Sequence, residues 1–154
     1  MYDSVVIGAG PAGMTAAMYL CRSGVRTALV EKLGPGGQLL NTAEIENYPG
    51  FPKGAAGWNL AEAFASHLES CALDRFSQEL TSIVWQRENF VLRLETETLA
   101  ARSVIICSGA MPRTLNLPGE ARLTGRGVSY CAMCDGMFFK DQVVAMVGGG
   151  NAAL

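Results

Sequence analysis

The chain has 154 residues, 49% of them hydrophobic and 17% charged, with a formal net charge of -2. That balance belongs to a core-forming α/β protein rather than a disordered one, and it offers no electrostatic case for nucleic acid or an anionic membrane as a partner. The length suffices for one dinucleotide-binding domain but not for two complete ones, each of which needs about 100 residues or more.

Tyr2 to Ile7 reads as a short buried strand, Gly8-Ala9-Gly10-Pro11-Ala12-Gly13 as a tight turn, and Pro11 to Ser23 as a helix ended by Gly24. Arg26 to Glu31 is the next strand, which completes a βαβ unit. The apolar run from Ser4 to Cys21 approaches the length of a membrane span, but Gly8, Gly10, Pro11 and Gly13 interrupt it. Asp3 stands where a signal peptide would carry positive charge, so a cytoplasmic protein with no membrane partner is expected.

Gly34 to Gly57 is rich in Gly, Pro and Asn and reads as a long loop of the kind that touches a ligand. Asn59 to Leu73 places Leu60, Phe64, Leu68 and Cys71 on one helical face, which predicts a helix packed on the sheet. Its His67 is the only histidine, so no zinc cluster and no Ser-His-Asp triad is built around it. From Thr81 to Thr96 the alternation at Phe90, Leu92 and Leu94 predicts an antiparallel excursion turning near Glu88-Asn89, and Ser103 to Cys107 another buried strand. Pro112, Pro118 and Gly119 mark a linker over 113–119, between a domain at 1–112 and the start of another at 120–154. Beyond it come Cys131-Ala132-Met133-Cys134-Asp135, a polar break at Lys140-Asp141, a predicted strand over Val143 to Val147, and a second glycine turn at Gly148-Gly149-Gly150-Asn151-Ala152-Ala153. The chain stops one residue later, at Leu154, and reads as an amino-terminal fragment.

Glycines at 8, 10 and 13 permit a tight turn, close backbone approach to a diphosphate and close packing of helix on strand. Glu31 lies 18 positions past Gly13, near where an acid binds a ribose diol. A carboxylate there suits FAD or NAD and repels the 2′-phosphate of NADP. Among the five cysteines, Cys21, Cys71 and Cys107 sit in apolar surroundings and are assigned to core packing. Zinc at Cys131 and Cys134 would need two further ligands that the chain does not offer, so the pair reads as a redox disulfide, placed at a helix start where the dipole lowers one thiol pKa. Asp135 either exchanges protons with that pair or serves as a helix cap.

These motifs, with Gly36-Gly37-Gln38-Leu39, Glu44-Ile45-Glu46-Asn47-Tyr48-Pro49-Gly50 and Ser108-Gly109 before Pro112-Arg113, resemble the bacterial-type, low-molecular-weight thioredoxin reductases, which are FAD-containing pyridine nucleotide-disulfide oxidoreductases. The resemblance runs in order through the whole chain. It implies an α/β fold: a Rossmann-like FAD-binding domain with a parallel sheet and an antiparallel excursion, followed by the start of a second Rossmann-like NAD(P)-binding domain. It implies FAD held by Ala9 to Ala12, Glu31, the backbone of Leu33 and Gly34, Gln38, Asn47, Leu80 and Gly109, with Gly148 and Gly150 in the NADPH turn. Cys134 would then face the flavin, Cys131 attack thioredoxin, Asp135 transfer the proton, and a homodimer form. Met133 and Ser108 each stand where the family usually has Thr, and the family's chain is much longer than this one. Weak or absent turnover with NADPH is therefore expected of these 154 residues alone. The rival expectations are a relative driven by reduced ferredoxin and a non-catalytic flavin-binding chain.

Overall fold

Apolar runs at both ends of the first hundred residues meet in one sheet. β1 (Tyr2–Ile7) leads through α1 (Pro11–Arg22) to β2 (Thr27–Val30), and the two strands pair in parallel from Ser4 opposite Thr27 to Ile7 opposite Val30. The computed structural model describes residues 1–150, with the side chains of Met133 and Cys134 outside the description. After the two-residue strands β3 (Glu44–Ile45) and β4 (Ala55–Ala56) and the helix α2 (Gly57–His67), β5 (Asp74–Phe76) forms one edge of the main sheet, and β6 (Leu80–Gln86) and β7 (Asn89–Leu94) lie at the opposite edge. With β8 (Thr98–Ile106) the six-stranded order is β5-β2-β1-β8-β7-β6. β5, β2, β1 and β8 run parallel, while β7 and β6 extend the sheet in antiparallel fashion.

β8 joins the two halves because it is long. Thr98 to Ala101 pair with β7, and Ala101 to Ile106 pair with β1. The predicted strand begins only at Ser103. Of the five residues of β8 before it, Thr98 to Ala101 are recruited by pairing with β7, a non-local contact that the polar Thr98 and Arg102 conceal in the sequence. The hairpin between β6 and β7 turns at Arg87-Glu88, one residue before the predicted place, with Arg87 at φ +59°.

Each face of the sheet buries its own cluster. Val6 and Leu29 pack with Met14 and Ala17 of α1 and with Leu68 beyond α2. On the other face Val5, Ile7, Ala28 and Val30 pack with Leu92, Leu94 and Leu99. Met14 and Leu92 are buried to 1% and 0% exposure, and burial of side chains of that size stabilises the fold by about 1.5–3 kcal/mol each.

α2 ends at His67, six residues short of the predicted helix. Past Ala65 the backbone tightens into three-residue turns, with Leu68 N–H donating to Ala65 O and Glu69 N–H to Ser66 O. Arg75 Nη2 donates to the Leu68 carbonyl at 2.5 Å, satisfying a group that a longer helix would have used internally. The glycine-rich stretch from Gly34 contains a 3-10 turn at Gly37–Asn41 and the small antiparallel ladder of β3 and β4, so it is more ordered than a plain loop.

The described residues fall into two compact units, Met1–Gly109 and a second that begins at Ala110. The second contains α3 (Glu120–Leu123), α4 (Ala132–Asp135) and a 3-10 turn at Gly136–Phe139. The strand predicted over Val143 to Val147 is not formed. A strand needs a neighbour to take its N–H and C=O groups, and among the described residues nothing pairs with this segment. Val143 is fully exposed.

Candidate functional site

The turn between β1 and α1 is built from contacts that only glycine allows. Gly8 has φ +97° and donates its N–H to Val30 O at 2.8 Å, while a side chain there would put Cβ 2.3 Å from the Cys107 carbonyl. At Gly13 a Cβ would lie 1.8 Å from the carbonyl oxygen of Gly8, so the first helical turn rests directly on the strand end. Gly10 caps α1 in extended conformation with no side-chain hydrogen bond, Pro11 occupies the first helical position, and Met14 N–H is bonded to Gly10 O at 2.9 Å. The amides of Ala12 and Gly13 precede that bond and have no carbonyl four residues back within the helix. They form the positive end of the helix dipole.

Glu31 follows β2 and folds its carboxylate back to this turn. Oε2 accepts the Ala9 N–H at 2.7 Å and Oε1 accepts the Leu33 N–H at 3.0 Å. Each oxygen keeps a second lone pair for a further donor such as a ribose hydroxyl. Ala9, 2% exposed, also accepts Gly36 N–H at 2.8 Å, which draws the Gly34–Gly37 stretch against the turn. Gly37 completes the approach, since a Cβ on it would lie 3.1 Å from Gly10 Cα.

A cleft of about 80 Å³ opens beside these groups, lined by Ala9, Glu31, Gly34, Arg75, Phe76 and Ser77 among others. The last three escaped the sequence reading. Their signal is the pairing of β5 with β2, which continues as Glu31 N–H to Phe76 O at 3.0 Å. A larger apolar cleft of about 340 Å³, between α1, α2 and Tyr48 and Phe51, contains neither Glu31 nor the glycine turn.

Gly8 to Gly13, Glu31, Leu33 and Gly34 therefore converge. Gln38 lies on the 3-10 turn next to Gly37, with its side-chain oxygen accepting from Asn41 Nδ2 at 3.3 Å. Gly57, also missed, pins α2 against that turn, because a Cβ there would meet Leu39 O at 2.1 Å. Leu80 opens β6, and its neighbour Glu79 pairs with Lys32 at 2.7 Å, which ties the strand start to the residue after Glu31. Asn47 is exposed in the loop after β3, and Gly109, at φ +70°, stands past the end of β8 with open space around it. Neither is drawn into the Ala9–Glu31 hydrogen bonds.

In the second unit Cys131 is disulfide-bonded, whereas Cys21, Cys71 and Cys107 are free thiols. Ser129, unnoticed in the sequence, organises the segment. Its hydroxyl donates to Asp135 Oδ2 at 2.6 Å and its oxygen accepts the Cys131 N–H at 3.0 Å, so the Asp135 carboxylate is held beside Cys131 through one side chain. α4 has only four residues and passes into a 3-10 turn, so the helix dipole expected to activate a thiol is one turn long and weak. Just before it, Glu120 is 8% exposed and accepts N–H from Leu115 at 2.9 Å and Leu117 at 3.0 Å, and O–H from Tyr130 at 2.5 Å. The Tyr130 hydrogen bond, then the amides, hold the Glu120 carboxyl below its ordinary range, and the same bond pushes the Tyr130 hydroxyl up.

Gly148 has φ +119° and, with Gly150, is exposed; Asn151 to Ala153 of the second glycine turn lie outside the described residues. Among the described residues no helix is long and apolar enough to cross a membrane, and no group of His, Cys, Asp and Glu could hold a metal ion.

A thioredoxin reductase of Listeria monocytogenes is 44% identical over 154 residues, all of this chain and 48% of the relative. The crystal structure of a thioredoxin reductase from Streptococcus pyogenes matches with a TM-score of 0.83 and 44% identity, over 99% of this chain and 50% of that one. A ferredoxin-flavin thioredoxin reductase from Clostridium acetobutylicum matches with a TM-score of 0.67 and 34% identity, over 97% of this chain and 51% of that one. The chain thus spans about half the length of the curated relatives it matches. The pyridine nucleotide-disulphide oxidoreductase profile matches residues 2–154, and the chain belongs to that family.

Proposed function

We propose that this chain supplies the FAD-binding part and the exchanging dithiol of a thioredoxin-disulfide reductase, in which electrons pass from NADPH through FAD and the Cys131–Cys134 pair to thioredoxin. The observation that carries the reading is the presence, in one chain, of a disulfide-bonded Cys131 held near Asp135 and a glycine turn closed by Glu31. Similarity to thioredoxin reductases over the whole chain supports it.

The donors at the turn fit a dinucleotide. The amides at Ala12 and Gly13, with the helix dipole, offer positive charge to a diphosphate, and no side chain at Gly10 blocks the approach. Glu31 is assigned to the ribose, Leu33, Gly34 and Leu80 to the adenosine end, and Gln38, Asn47 and Gly109 to the flavin end. When bound, FAD supplies two-electron exchange between a pyridine nucleotide and a disulfide. The Cys131 thiolate attacks the thioredoxin disulfide and forms a mixed disulfide, releasing one thioredoxin thiolate. The Cys134 thiolate then attacks Cys131 Sγ, restores the pair's disulfide and releases the second. Asp135, positioned by Ser129, takes and returns the proton. Residues 1–112 form the FAD-binding domain, 113–119 a hinge and 120–154 the start of the NADPH domain, whose turn includes Gly148 and Gly150. The whole protein is assigned to the cytoplasm as a homodimer.

The test is to load the chain with FAD, reduce it with dithionite and add thioredoxin disulfide. Reoxidation of the flavin with appearance of thioredoxin thiols is expected, and loss of at least about a thousandfold in rate for Cys131→Ser. Equal rates in the two proteins would overturn the assignment. Similarity to the ferredoxin-flavin enzyme favours one second reading, in which reduced ferredoxin replaces NADPH as the donor. Supplying each donor in turn to the whole protein separates the two.

A further inference from the structure

Arg75 does more in the structure than tie off the segment after α2. It stands on the edge strand β5 with Leu29 of β2 as its parallel partner, so its side chain lies on the sheet face where Leu29 and Leu68 are buried. Nη2 donates to the Leu68 carbonyl at 2.5 Å, which holds the guanidinium at the wall of the cleft beside Glu31. Arg75 and Glu31 are the two charged residues lining that cleft. They do not neutralise each other, since the ion pairs among the described residues are Lys32 with Glu79 and Arg102 with Asp3.

The cleft therefore offers two unlike groups to one ligand. Glu31 has lone pairs to spare for hydroxyls. Arg75 is exposed, and its bond to Leu68 lies in the plane of the guanidinium and uses one edge of the fork, so the flat faces of the cation stay open. A ligand that answers both groups carries neighbouring hydroxyls and, joined to them, an electron-rich aromatic ring. A nucleoside has that chemistry. A phosphate on the ribose would also attract Arg75, but the Glu31 carboxylate in the same cleft repels it.

We propose that Arg75 selects the adenine end of FAD by laying its guanidinium on the ring face of the base. This rests on the assignment of the glycine turn and Glu31 to FAD. The attraction is that of a cation for a π face, and it strengthens where apolar walls such as Ala65 and Leu68 exclude water. FMN and riboflavin lack the base and gain nothing from it, so Arg75 favours the dinucleotide over the shorter flavins.

Two measurements test this on the 154-residue chain. Equilibrium titration with FAD should give an affinity about tenfold weaker in Arg75→Met than in the wild type. Arg75→Lys, which keeps the charge and a donor for Leu68 but not the plane, should recover only part of the loss. The second measurement separates contact with the base from a role in holding the end of α2, and needs no variant to fold. In proton-nitrogen correlation spectra of the wild type, the Arg75 Nε–H signal, identified by its disappearance in Arg75→Lys or by direct assignment, should move upfield when ADP is added, because the ring current of a base shields a proton above it. An unmoved signal, or a downfield move from pairing with the phosphates, would overturn the proposal, as would equal FAD affinity in wild type and Arg75→Met. A wild type that takes up neither FAD nor ADP would instead remove the FAD site itself, and the role of Arg75 with it.

Discussion

Glu31 shows how one side chain closes a site. Its two oxygens accept amides from Ala9 and Leu33, so the carboxylate orients the turn and keeps a lone pair on each oxygen for the proposed ribose. In Glu31→Gln one of the two acceptors becomes an N–H₂ group pointed at a backbone N–H. A charged hydrogen bond is worth about 1.5–3 kcal/mol, so FAD affinity measured by equilibrium titration should fall by tenfold or more. Gly13→Ala acts on the fold itself. Its Cβ would sit 1.8 Å from the Gly8 carbonyl oxygen, and urea unfolding should show a loss of about 2–3 kcal/mol from the forced separation of helix and strand. The spacing of Gly8, Gly10, Gly13 and Glu31 was legible because each acts within one βαβ unit. Ser129 and Arg75 were not, because their significance lies in which distant group they reach.

At the scale of elements, β1 and β5 are tied across the intervening β2 by Tyr2, whose hydroxyl donates to Asp74 Oδ2 at 2.7 Å. Burial, and then that bond to the Asp74 carboxylate, push the Tyr2 hydroxyl from 10.0 up to about 12. The folded state therefore keeps a proton that the unfolded chain releases. The contribution is complete below pH 10 and is lost as pH rises through 12. Tyr2→Phe keeps the ring beside Phe76 and removes the titrating group, so the fall in its urea midpoint across that window should be shallower than the wild type's. The sequence displayed β1, α1 and β2 plainly, since an apolar run, glycines and a helical stripe follow in local order. It hid the first half of β8, whose reason for being a strand is β7, and it overstated α2, whose last predicted turn is lost to the Arg75 bond with Leu68. Val143 to Val147 has the composition of a strand, and composition supplies no partner.

At the scale of the whole molecule, the unit from Met1 to Gly109 has a two-faced sheet and its own buried clusters, while the unit from Ala110 is held by small polar knots, Glu120 with Tyr130 and Ser129 with Asp135. The proposed function puts the flavin in the first and the exchanging disulfide in the second. That function depends on the turn of Gly8 to Gly13, closed by Glu31, holding FAD. The most direct measurement is the visible absorbance spectrum of the purified 154-residue chain after incubation with FAD and removal of the free flavin. A retained flavin band is expected, bleached by dithionite and diminished in Glu31→Gln. A protein that emerges with no flavin band, or one equally strong in wild type and Glu31→Gln, would contradict it.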